Sequence, residues 1–518
     1  MDERLASALR VLPDYLGQHV LLSASALAFG VVLSLPLALV AARRPRWRWP
    51  LLTLASAVQT IPGLALLALF YPLLLALSAL VKPALGLSVP ALGFLPALLA
   101  LTLYSMLPIL RNGITGLSGI DPAVIEAANG VGMTSWQRLV RVEAPLAAPV
   151  IMAGVRTSAV WTIGAATLAT PVGQTSLGNY IFSGLQTENW ISVLFGSVAA
   201  AALALVVDQL LGLVEAGAAR RDHKRMLAGL AALAIGTAVV VAPLAAGKPA
   251  TYVIGSKNFS EQFILSELIS QRLQALGAGV ERKDGLGSAV IFRALASGEL
   301  DVYVDYSGTL WANVMGRHDT PSRELMLSEL TRWMREQYGV TVLGSLGFEN
   351  AYVLAMRRER AAALGVVSIP GLAPHTPQLT LGSDLEFLSR PEWAALKQAY
   401  GLAFRAERAF NPTFMYRAVQ SGEVDVISAF SSDGRIAALD LAVLRDEKQA
   451  VPSYDAVVLL SPARAADPVL RRALEPLIGA IPVERMREAN LTVDRDQDKA
   501  SPAQAARFLA EALRLDQP

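Results

Sequence analysis

Two aromatic residues stand at matching places in a repeated segment of the second half of the chain. "RALASGELDVYVDYSG" and "RAVQSGEVDVISAFSSDG" share Arg-Ala, Ser-Gly-Glu, Asp-Val and then an aromatic residue followed by Ser. Each segment predicts a helix ended by glycine, a turn and a strand. Tyr306 and Phe430 then end equivalent strands, where ligands bind in open α/β sheets. The two rings could then face each other across a cleft between two lobes and hold a ligand by non-covalent contact. Two rings buried in an ordinary core would fit the repeat equally well.

Residues for bond-making chemistry lack the spacing that such chemistry needs. The absence of Cys excludes disulfides, thiolate metal sites and a Cys nucleophile. The nearest match to a Walker A loop, around Lys248, lacks its first glycine and has Pro249 where Ser or Thr should follow. We therefore expect no enzyme activity, no cofactor and no metal in this chain. The histidines have no metal-ligand spacing, and we expect surface or packing roles for His19, His223, His318 and His375.

The composition places the first half of the chain in a membrane. The chain is 53% hydrophobic and only 17% charged, and apolar runs recur before about residue 250. Runs of ~20 residues are long enough to cross a bilayer as helices. The net charge of +2 gives no argument for nucleic acid as a partner. We predict spans near 19–42, 51–81, 91–110, 146–170, 189–214 and 226–247.

Loop charges predict the orientation of these spans. Basic residues fall on alternate loops, as expected for cytoplasmic loops. They are Arg43, Arg44, Arg46 and Arg48, then Arg111, Arg138 and Arg141, then Arg220, Arg221, Lys224 and Arg225. This puts residues 1–18 outside, 126–145 inside and everything after about residue 250 outside.

The element that exports the second half is internal. "MDERLASALRVLP" lacks the basic lead and apolar core of a secretory signal. "RRDHKR" followed by the apolar run of 226–247 has the build of a signal-anchor. That run is long for a signal core, which favours a retained anchor over 226–250, while the small residues of "PLAAGKPA" leave cleavage open.

The stretch "EAANGVGMTSWQRLVRVEAP" (126–145) carries glycines, charges and an indole between apolar spans. It predicts two short helices joined by a bend at Gly130 and Gly132, with Pro145 starting the next span. Such a hairpin offers amphipathic helix ends to a groove on another protein. An ordinary interfacial loop also fits this composition.

This stretch resembles the EAA loop of ATP-binding-cassette (ABC) importer permeases. The matching residues are Glu126, Ala127, Ala128, Gly132 and Pro145, while Val142 and Ala144 stand at the Ile and Leu positions of the family pattern. The resemblance implies a type I permease of about six spans, whose loop docks on a nucleotide-binding subunit. It further implies a separate ATPase chain and a permease homodimer.

The second half alternates short β-like runs with helical stretches, which predicts an α/β domain with mostly parallel sheets. Its length allows two lobes. We predict a membrane domain over 1–225, a tether over 226–250 and an extracytoplasmic domain over 251–518. Within the last, lobe 1 covers about 251–350 and 456–518, and lobe 2 about 351–455.

The second half is similar to the substrate-binding proteins of osmoprotectant importers, which take glycine betaine, choline, carnitine and related quaternary amines. The motifs are "IGSKNFSEQFILSELI", "GLGSAVIFRALASGELDVYVDYSGTLW", "GFENAYVLAM", "SSDGRI" and "PSYDAVVLLSP". The resemblance implies a two-lobed, type II periplasmic-binding fold with an aromatic cage at Tyr306, Tyr352, Phe430 and Tyr454. Phe430 stands where the family has tyrosine, and keeps a face worth about 0.5–2 kcal/mol to a trimethylammonium.

The polar end of the ligand depends on other matching positions. Gln262 and Thr309 correspond to residues that hold it in the family. Thr309 is a donor, which favours a zwitterion over choline, because an acidic residue there would suit the hydroxyl of choline. Arg435 is a candidate carboxylate clamp or a surface arginine. Ser256 and Asn258 follow the first strand and are further candidates.

These features together predict a permease fused to the substrate receptor of an importer for a zwitterion such as glycine betaine. It would lie in a bacterial inner or cytoplasmic membrane as a multi-pass protein. Ergothioneine, choline and carnitine are alternative cargoes on the same architecture. A membrane-anchored ligand sensor is a second class, against which the EAA spacing argues, since a sensor needs no coupling helix.

Overall fold

The computed structural model describes residues 3–85, 89–187, 189–246, 251–317, 319–495 and 497–515. The chain divides into two compact units. A helical unit comprises residues 1–182 and 191–247, and an α/β unit comprises residues 183–190 and 248–518. His318 lies outside the described residues.

The first half is built of helices in the residues that the structure describes. Six of these helices are long and apolar enough to cross a membrane, as predicted: Ala8–Arg43, Gly63–Val81, Phe94–Ser118, Ser135–Val172, Trp190–Arg220 and His223–Leu244. The helices of residues 3–246 are Glu3–Arg43, Arg48–Thr60, Gly63–Leu85, Phe94–Ser118, Pro122–Gly130, Ser135–Arg138, Ala144–Ala166, Gly178–Gln186, Trp190–Arg220 and His223–Ala246. Single 3₁₀ or π segments occur at Pro45–Trp47, Leu139–Glu143 and Thr167–Val172.

Two predicted span boundaries are wrong. The predicted span 51–81 is two helices, because Ile61 is extended with ψ 127° before Pro62 and the first helix ends at Thr60. A residue before proline is driven out of the helical region by the pyrrolidine ring. The first helix begins at Glu3 instead of near residue 19, and it continues through Pro13.

Small residues let the central helix Phe94–Ser118 approach its neighbours closely. A Cβ on Gly30 would lie 1.8 Å from the Ser105 hydroxyl, and one on Gly154 would lie 2.8 Å from the Pro108 carbonyl oxygen. In a bilayer, where lipid is as apolar as leucine, such close backbone packing is a main source of helix association.

The α/β unit contains two five-stranded sheets. The strands are β1 (Tyr252–Lys257), β2 (Val280–Leu286), β3 (Val302–Tyr306), β4 (Thr341–Glu349), β5 (Tyr352–Arg357), β6 (Thr380–Asp384), β7 (Ala406–Phe410), β8 (Val426–Phe430), β9 (Leu441–Val443) and β10 (Asp455–Leu460). Their orders are β2-β1-β3-β10-β4 and β7-β6-β8-β5-β9, and each sheet is the centre of one lobe.

Thirteen helices accompany these strands in the described residues. They are Ser260–Ala275, Ser288–Ser297, Ser307–Thr309, Arg323–Tyr338, Arg358–Leu364, Ile369–Leu372, Leu385–Ser389, Pro391–Tyr400, Pro412–Ser421, Arg435–Ala438, Pro468–Leu474, Val483–Asp494 and Pro502–Ala512. 3₁₀ or π segments lie at Leu310–Val314, Ala373–Gln378, Pro462–Arg464 and Glu475–Leu477.

The sheets are mixed, so the prediction of mostly parallel sheets is wrong. β10 runs antiparallel to both β3 and β4, and β5 runs antiparallel to both β8 and β9. The reason is that the chain passes from one lobe to the other after β4 and returns before β10. The strand that arrives from the other lobe enters each sheet against the direction of its neighbours.

The internal repeat has the predicted structure in both lobes. Gly298 and Gly422 end their helices with φ of 85° and 80°, values that glycine adopts without a Cβ clash. The aspartate three residues after each glycine makes equivalent hydrogen bonds in the two lobes. Asp301 exchanges two hydrogen bonds with Val253, and Asp425 exchanges two with Thr380, so each aspartate fixes the entry of a strand beside its neighbour.

Candidate functional site

Five aromatic rings form a continuous string in the α/β unit. Ring centroids lie 6.1 Å apart for Tyr306 and Phe259, 6.1 Å for Phe259 and Phe430, 5.1 Å for Phe430 and Tyr352, and 5.8 Å for Tyr352 and Tyr454. Tyr306 ends β3, Phe430 ends β8 and Tyr352 begins β5, so both sheets contribute. The structure therefore brings the four predicted rings together, and Phe259 stacks between the two that end the repeats.

A buried carboxylate lies at one end of this string. Glu261 Oε1 accepts hydrogen bonds from the Tyr306 hydroxyl at 2.5 Å and from Asn350 Nδ2 at 3.1 Å. Its Oε2 accepts from Asn490 Nδ2 at 2.9 Å. Burial raises the pKa of Glu261, while these hydrogen bonds act in the opposite direction. Burial and the neighbouring Glu261 also raise the pKa of Tyr306 well above its usual value.

A buried guanidinium lies at the other end. Arg390 Cζ is 5.4 Å from the Tyr352 ring centroid. Arg390 Nη2 lies 2.5 Å from Glu386 Oε1, and its Nη1 lies 3.5 Å from Glu392 Oε1. Glu392 Oε1 also accepts a hydrogen bond from the Tyr454 hydroxyl. Among the described residues, Arg390 Nε and Glu392 Oε2 are buried without a hydrogen-bond partner, so this end has polar atoms available to a ligand.

Gln262 and Thr309 are buried beside these two ends. Gln262 Nε2 donates to the Tyr306 hydroxyl at 3.0 Å, and its Oε1 accepts from the Lys257 amide at 3.2 Å. Thr309 Oγ1 lies 3.5 Å from Arg390 Nη1. Gln262 thus orients a ring of the string, and Thr309 lies next to the buried arginine.

Arg435 is already paired with carboxylates. Its Nη2 lies 2.6 Å from Asp433 Oδ2 and 3.9 Å from Asp494 Oδ2, and its Cζ lies 4.1 Å from the Tyr416 ring centroid. A ligand carboxylate would have to compete with these two acids. Its role as a clamp stays a prediction, and Arg390 is the arginine nearer to the string of rings.

Ser256 and Asn258 are not gathered into the site. The Ser256 hydroxyl is buried and donates to Asp284 Oδ1 at 2.7 Å, which ties β1 to β2. Asn258 is exposed just after β1. Both assignments stay predictions without a contact to the rings.

Direct contacts join the two lobes around the site. The Ser288 hydroxyl donates to Glu386 Oε1 at 2.9 Å, and Asn490 Nδ2 donates to the Ser432 carbonyl oxygen at 3.0 Å. Arg487 Nε donates to the Ser431 carbonyl oxygen at 2.9 Å. The lobes are therefore closed on each other in this structure.

Sequence reasoning missed several residues of the site, for different reasons. Phe259 and Glu261 lie within "NFSEQ", immediately before the predicted Gln262, so the motif itself contained the signal. Arg390 precedes the helix Pro391–Tyr400, and Asn490 lies in a C-terminal helix. Neither belongs to a recognised motif, and no local pattern marks them.

The stretch 126–145 forms the predicted helical hairpin. Helix Pro122–Gly130 ends before Gly132, which has φ 79°, and helix Ser135–Arg138 begins with a capping box between Thr134 and Gln137. Arg138 closes the bend, since it donates to Asn129 Oδ1 at 2.6 Å and to Glu143 Oε1 at 2.6 Å.

The hairpin exposes apolar side chains. Trp136 is 72% exposed and Val131 is 74% exposed. Of the residues that match the EAA pattern, Glu126, Ala127, Gly132 and Pro145 are exposed and Ala128 is buried. Large exposed apolar side chains such as these are typical of a surface that another protein covers.

His19 makes structural contacts inside the helical unit. His19 is buried, with Nε2 3.0 Å from the Ile163 carbonyl oxygen and Nδ1 3.4 Å from the Leu177 amide nitrogen. In the part of the chain that the structure describes, no cluster of three or more His, Cys, Asp or Glu could hold a metal ion.

Two family models match the chain. Residues 250–511 match the substrate binding domain of ABC-type glycine betaine transport systems, and residues 34–220 match the binding-protein-dependent transport system inner membrane component. The first model alone covers about half of the chain.

Relatives match either the whole chain or its first half. The ergothioneine transport permease/ergothioneine binding protein EgtU of Helicobacter pylori (strain G27) is 29% identical over 482 residues, which is 90% of this chain and 84% of that protein. The glycine betaine/carnitine/choline transport system permease protein OpuCB of Bacillus subtilis (strain 168) is 38% identical over 199 residues, which is 38% of this chain and 84% of that protein. A crystal structure of a glycine betaine/carnitine/choline ABC transporter is 26% identical, covers 51% of this chain and 98% of its own, and has a TM-score of 0.45.

The models and relatives agree on what the two units are. The helical unit is a multi-pass membrane permease, and the α/β unit is a substrate-binding domain fused to it. The relatives are transport components, so this chain is a transporter subunit and not itself an enzyme. The chain belongs to the family of substrate-binding domains of ABC-type glycine betaine transport systems, joined here to the inner-membrane permease of the same kind of importer.

Proposed function

We propose that the α/β unit binds a quaternary-amine zwitterion of the glycine betaine type. The observation that carries this is the string of five rings with Glu261 at one end and Arg390 at the other. Aromatic faces attract a trimethylammonium, and a nearby carboxylate adds Coulomb attraction. A guanidinium favours a carboxylate. A molecule that carries both charges matches Glu261 at one end and the unpartnered Nε of Arg390 at the other, where its carboxylate competes with Glu386 and Glu392 for the guanidinium.

The proposed roles follow from these positions. Tyr306, Tyr352, Phe430 and Tyr454 hold the trimethylammonium, with Phe259 and Glu261 added to the predicted set. Arg390 and Thr309 take the carboxylate, and Gln262 orients Tyr306. Choline lacks a carboxylate and would leave the buried Nε of Arg390 without a hydrogen-bond partner, which favours a zwitterion. Arg435, Ser256 and Asn258 remain lesser candidates.

Ergothioneine is the second candidate cargo. The relative that matches both halves of this chain is named for ergothioneine transport and binding, and ergothioneine is also a betaine. It carries an additional ring and sulfur, so it would need more polar partners than glycine betaine. Carnitine has the same two charges farther apart and is a third option.

The permease would couple this binding to ATP through the hairpin of residues 126–145. Its exposed Trp136 and Val131 support docking on a separate ATPase chain. We assign 1–225 to the permease, 226–250 to a retained tether and 251–518 to the receptor on the extracytoplasmic face. Two copies would pair in a bacterial inner or cytoplasmic membrane, with the tether keeping the receptor concentrated near the translocation path.

Titration calorimetry on the full chain in lipid nanodiscs tests the cargo. Glycine betaine, carnitine, choline and ergothioneine are titrated into the wild type, Tyr352→Ala and the control Tyr338→Ala, whose ring is 41% exposed and lies outside the string. We expect one zwitterion to bind tightly, with binding lost only in Tyr352→Ala. Tighter binding of choline than of every zwitterion, or no binding by folded protein, would contradict the proposal.

A further inference from the structure

The helical unit contains a charged cluster on two of its long apolar helices. Arg156 lies midway along helix Ala144–Ala166, and Asp208 and Glu215 lie in the second half of helix Trp190–Arg220. Arg156 Nε and Nη2 lie 2.5 and 2.7 Å from the two Asp208 carboxylate oxygens, and Nη1 lies 3.3 Å from Glu215 Oε2. The guanidinium lies over Gly212, between the two acids.

This cluster has one carboxylate more than it has cations. Asp208 takes the bidentate contact of Arg156, and Glu215 is held by a single, longer contact. The ionised set has a net charge of −1. Trp161, which is 67% exposed, lines the same cavity of about 430 Å³ together with Thr157. A carboxylate with excess charge beside an open indole is the pair of groups that a quaternary ammonium prefers.

The bilayer limits what can face this cavity. A charged side chain at the centre of a membrane helix costs about 2.5–3.5 kcal/mol on insertion scales, so such residues face a water-filled path or a protein partner. The Arg156, Asp208 and Glu215 side chains are 36%, 20% and 29% exposed in one copy of the chain. Acids on a membrane helix that their own chain does not bury mark a path for ions or substrate.

We infer that Glu215, Trp161 and the Arg156–Asp208 pair form a transient binding site for the quaternary-ammonium group on the translocation path. The inference rests on the proposed function for the identity of the cargo, and it adds a second site inside the permease. Once the receptor had released the substrate, this site would give its cation a favourable position among the membrane-spanning helices.

Thiol labelling tests the site without the natural cargo. The chain has no cysteine, so Thr157→Cys introduces a single thiol into the cavity. The full chain in nanodiscs is treated with a trimethylammonium-ethyl or a sulfonatoethyl methanethiosulfonate. Each rate is normalised to that of a small thiol in solution. We expect the cationic reagent to react about tenfold faster than the anionic one, as a single negative charge at ~6 Å in water predicts for two reagents of opposite charge.

Three comparisons separate the site from a structural role. Adding Glu215→Gln should reduce the ratio to near one, Glu215→Asp should keep it, and millimolar tetramethylammonium should slow the cationic reagent. Failure of both reagents to react would mean that lipid or a second copy covers the face, and would overturn the inference. So would equal rates, or a ratio that Glu215→Gln leaves unchanged.

Calorimetry on the wild type keeps the two proposals apart. Titrating glycine betaine tests the proposed cargo, and the labelling ratio does not depend on its outcome. If no betaine binds even the wild type, the proposed cargo fails, and the labelling ratio still decides whether the cation site exists.

Discussion

Glu261 is the residue on which the charge of the ligand site depends most directly. It is fully buried and accepts hydrogen bonds from Tyr306, Asn350 and Asn490. A buried carboxylate among neutral donors keeps its charge only at a desolvation cost, and a bound cation offsets that cost. The site is therefore expected to be more stable when a quaternary ammonium is present.

Glu261→Gln should weaken zwitterion binding at least tenfold. The substitution removes the negative charge and turns an amide donor toward Asn350 or Asn490, where two donors would face each other. Calorimetry measures the Kd, and Glu267→Gln is the matched control, since Glu267 pairs with Arg282 away from the rings. An unchanged Kd in Glu261→Gln would remove Glu261 from the site.

Asp384 gives the α/β unit a stability that depends on pH. Burial raises the pKa of Asp384 to about 6 from its ordinary 3.8. The native state binds this proton more tightly than the unfolded chain does. Its contribution to stability is complete below pH 3.8 and is lost as the pH rises through about 6. Oδ2 of Asp384 has no hydrogen-bond partner among the described residues, which fits this cost of ionisation.

Asp384→Asn should raise the free energy of unfolding at pH 7.5 by on the order of 2 kcal/mol. Asparagine resembles the protonated acid and still accepts from the Phe387 amide, which Asp384 Oδ1 caps at 2.9 Å. Thermal unfolding of the α/β unit in the solubilised chain should show the gain at pH 7.5 and little gain at pH 4. Asp384→Ala, which loses the cap, serves as the comparison. Equal effects of Asn at both pH values would contradict the assignment.

At the scale of elements, we propose that the hairpin of residues 126–145 meets another protein. Two short helices are fixed by a cap at Asp121, a capping box at Thr134 and the Arg138 contacts across the bend. This rigidity presents Trp136 in a defined position, and a pre-ordered aromatic anchor loses little entropy when it binds.

Trp136→Ala should weaken association with the ATPase subunit by about 30-fold, the effect of losing a 2 kcal/mol anchor. Association is measured by titrating the purified ATPase onto the full chain in nanodiscs. Trp49→Ala is the matched control, since Trp49 is also highly exposed, at 75%, but lies outside the hairpin. Substrate binding should be the same in both variants. Equal losses in the two variants would rule out a specific docking role for the hairpin.

At the scale of the whole molecule, the proposed orientation predicts which surfaces face each side of the membrane. Basic residues flank the hairpin and the region around residue 220, and the α/β unit follows the last span. Since the chain has no cysteine, single introduced thiols report location without background.

Thr320→Cys in the α/β unit should react with a membrane-impermeant maleimide in right-side-out vesicles. Ser135→Cys in the hairpin should react only after the vesicles are permeabilised. Both positions are exposed, so access to the reagent depends on the side of the membrane. Labelling of Ser135→Cys in intact vesicles would reverse the topology.

Much of this molecule could be predicted from local patterns. The lengths of the apolar runs predicted six spans. A run of ~20 apolar residues is long enough to cross a bilayer, whatever the rest of the chain does. The repeat predicted a helix, a glycine turn and a strand in both lobes, because Gly298 and Gly422 set the conformation of their own backbone. The glycines and capping residues of 126–145 likewise predict a helical hairpin. The helix break before Pro62 could also have been predicted, because proline keeps the residue before it out of the helical conformation.

The sequence by itself thus determined the spans, the hairpin, the repeat and the aromatic residues that match the family. Only the tertiary structure decided how the site is assembled. Glu261, Asn350 and Asn490 are far apart in the chain and meet at one end of the string of rings, while Arg390 lies at the other end. The two ends belong to one site because the chain passes between lobes and β5 and β10 enter their sheets antiparallel. Tertiary contacts then placed Glu261 and Arg390 at the two ends of the site and paired Arg435 with Asp433. A local motif fixes backbone conformation, but burial and charge pairing depend on neighbours that the fold brings from elsewhere.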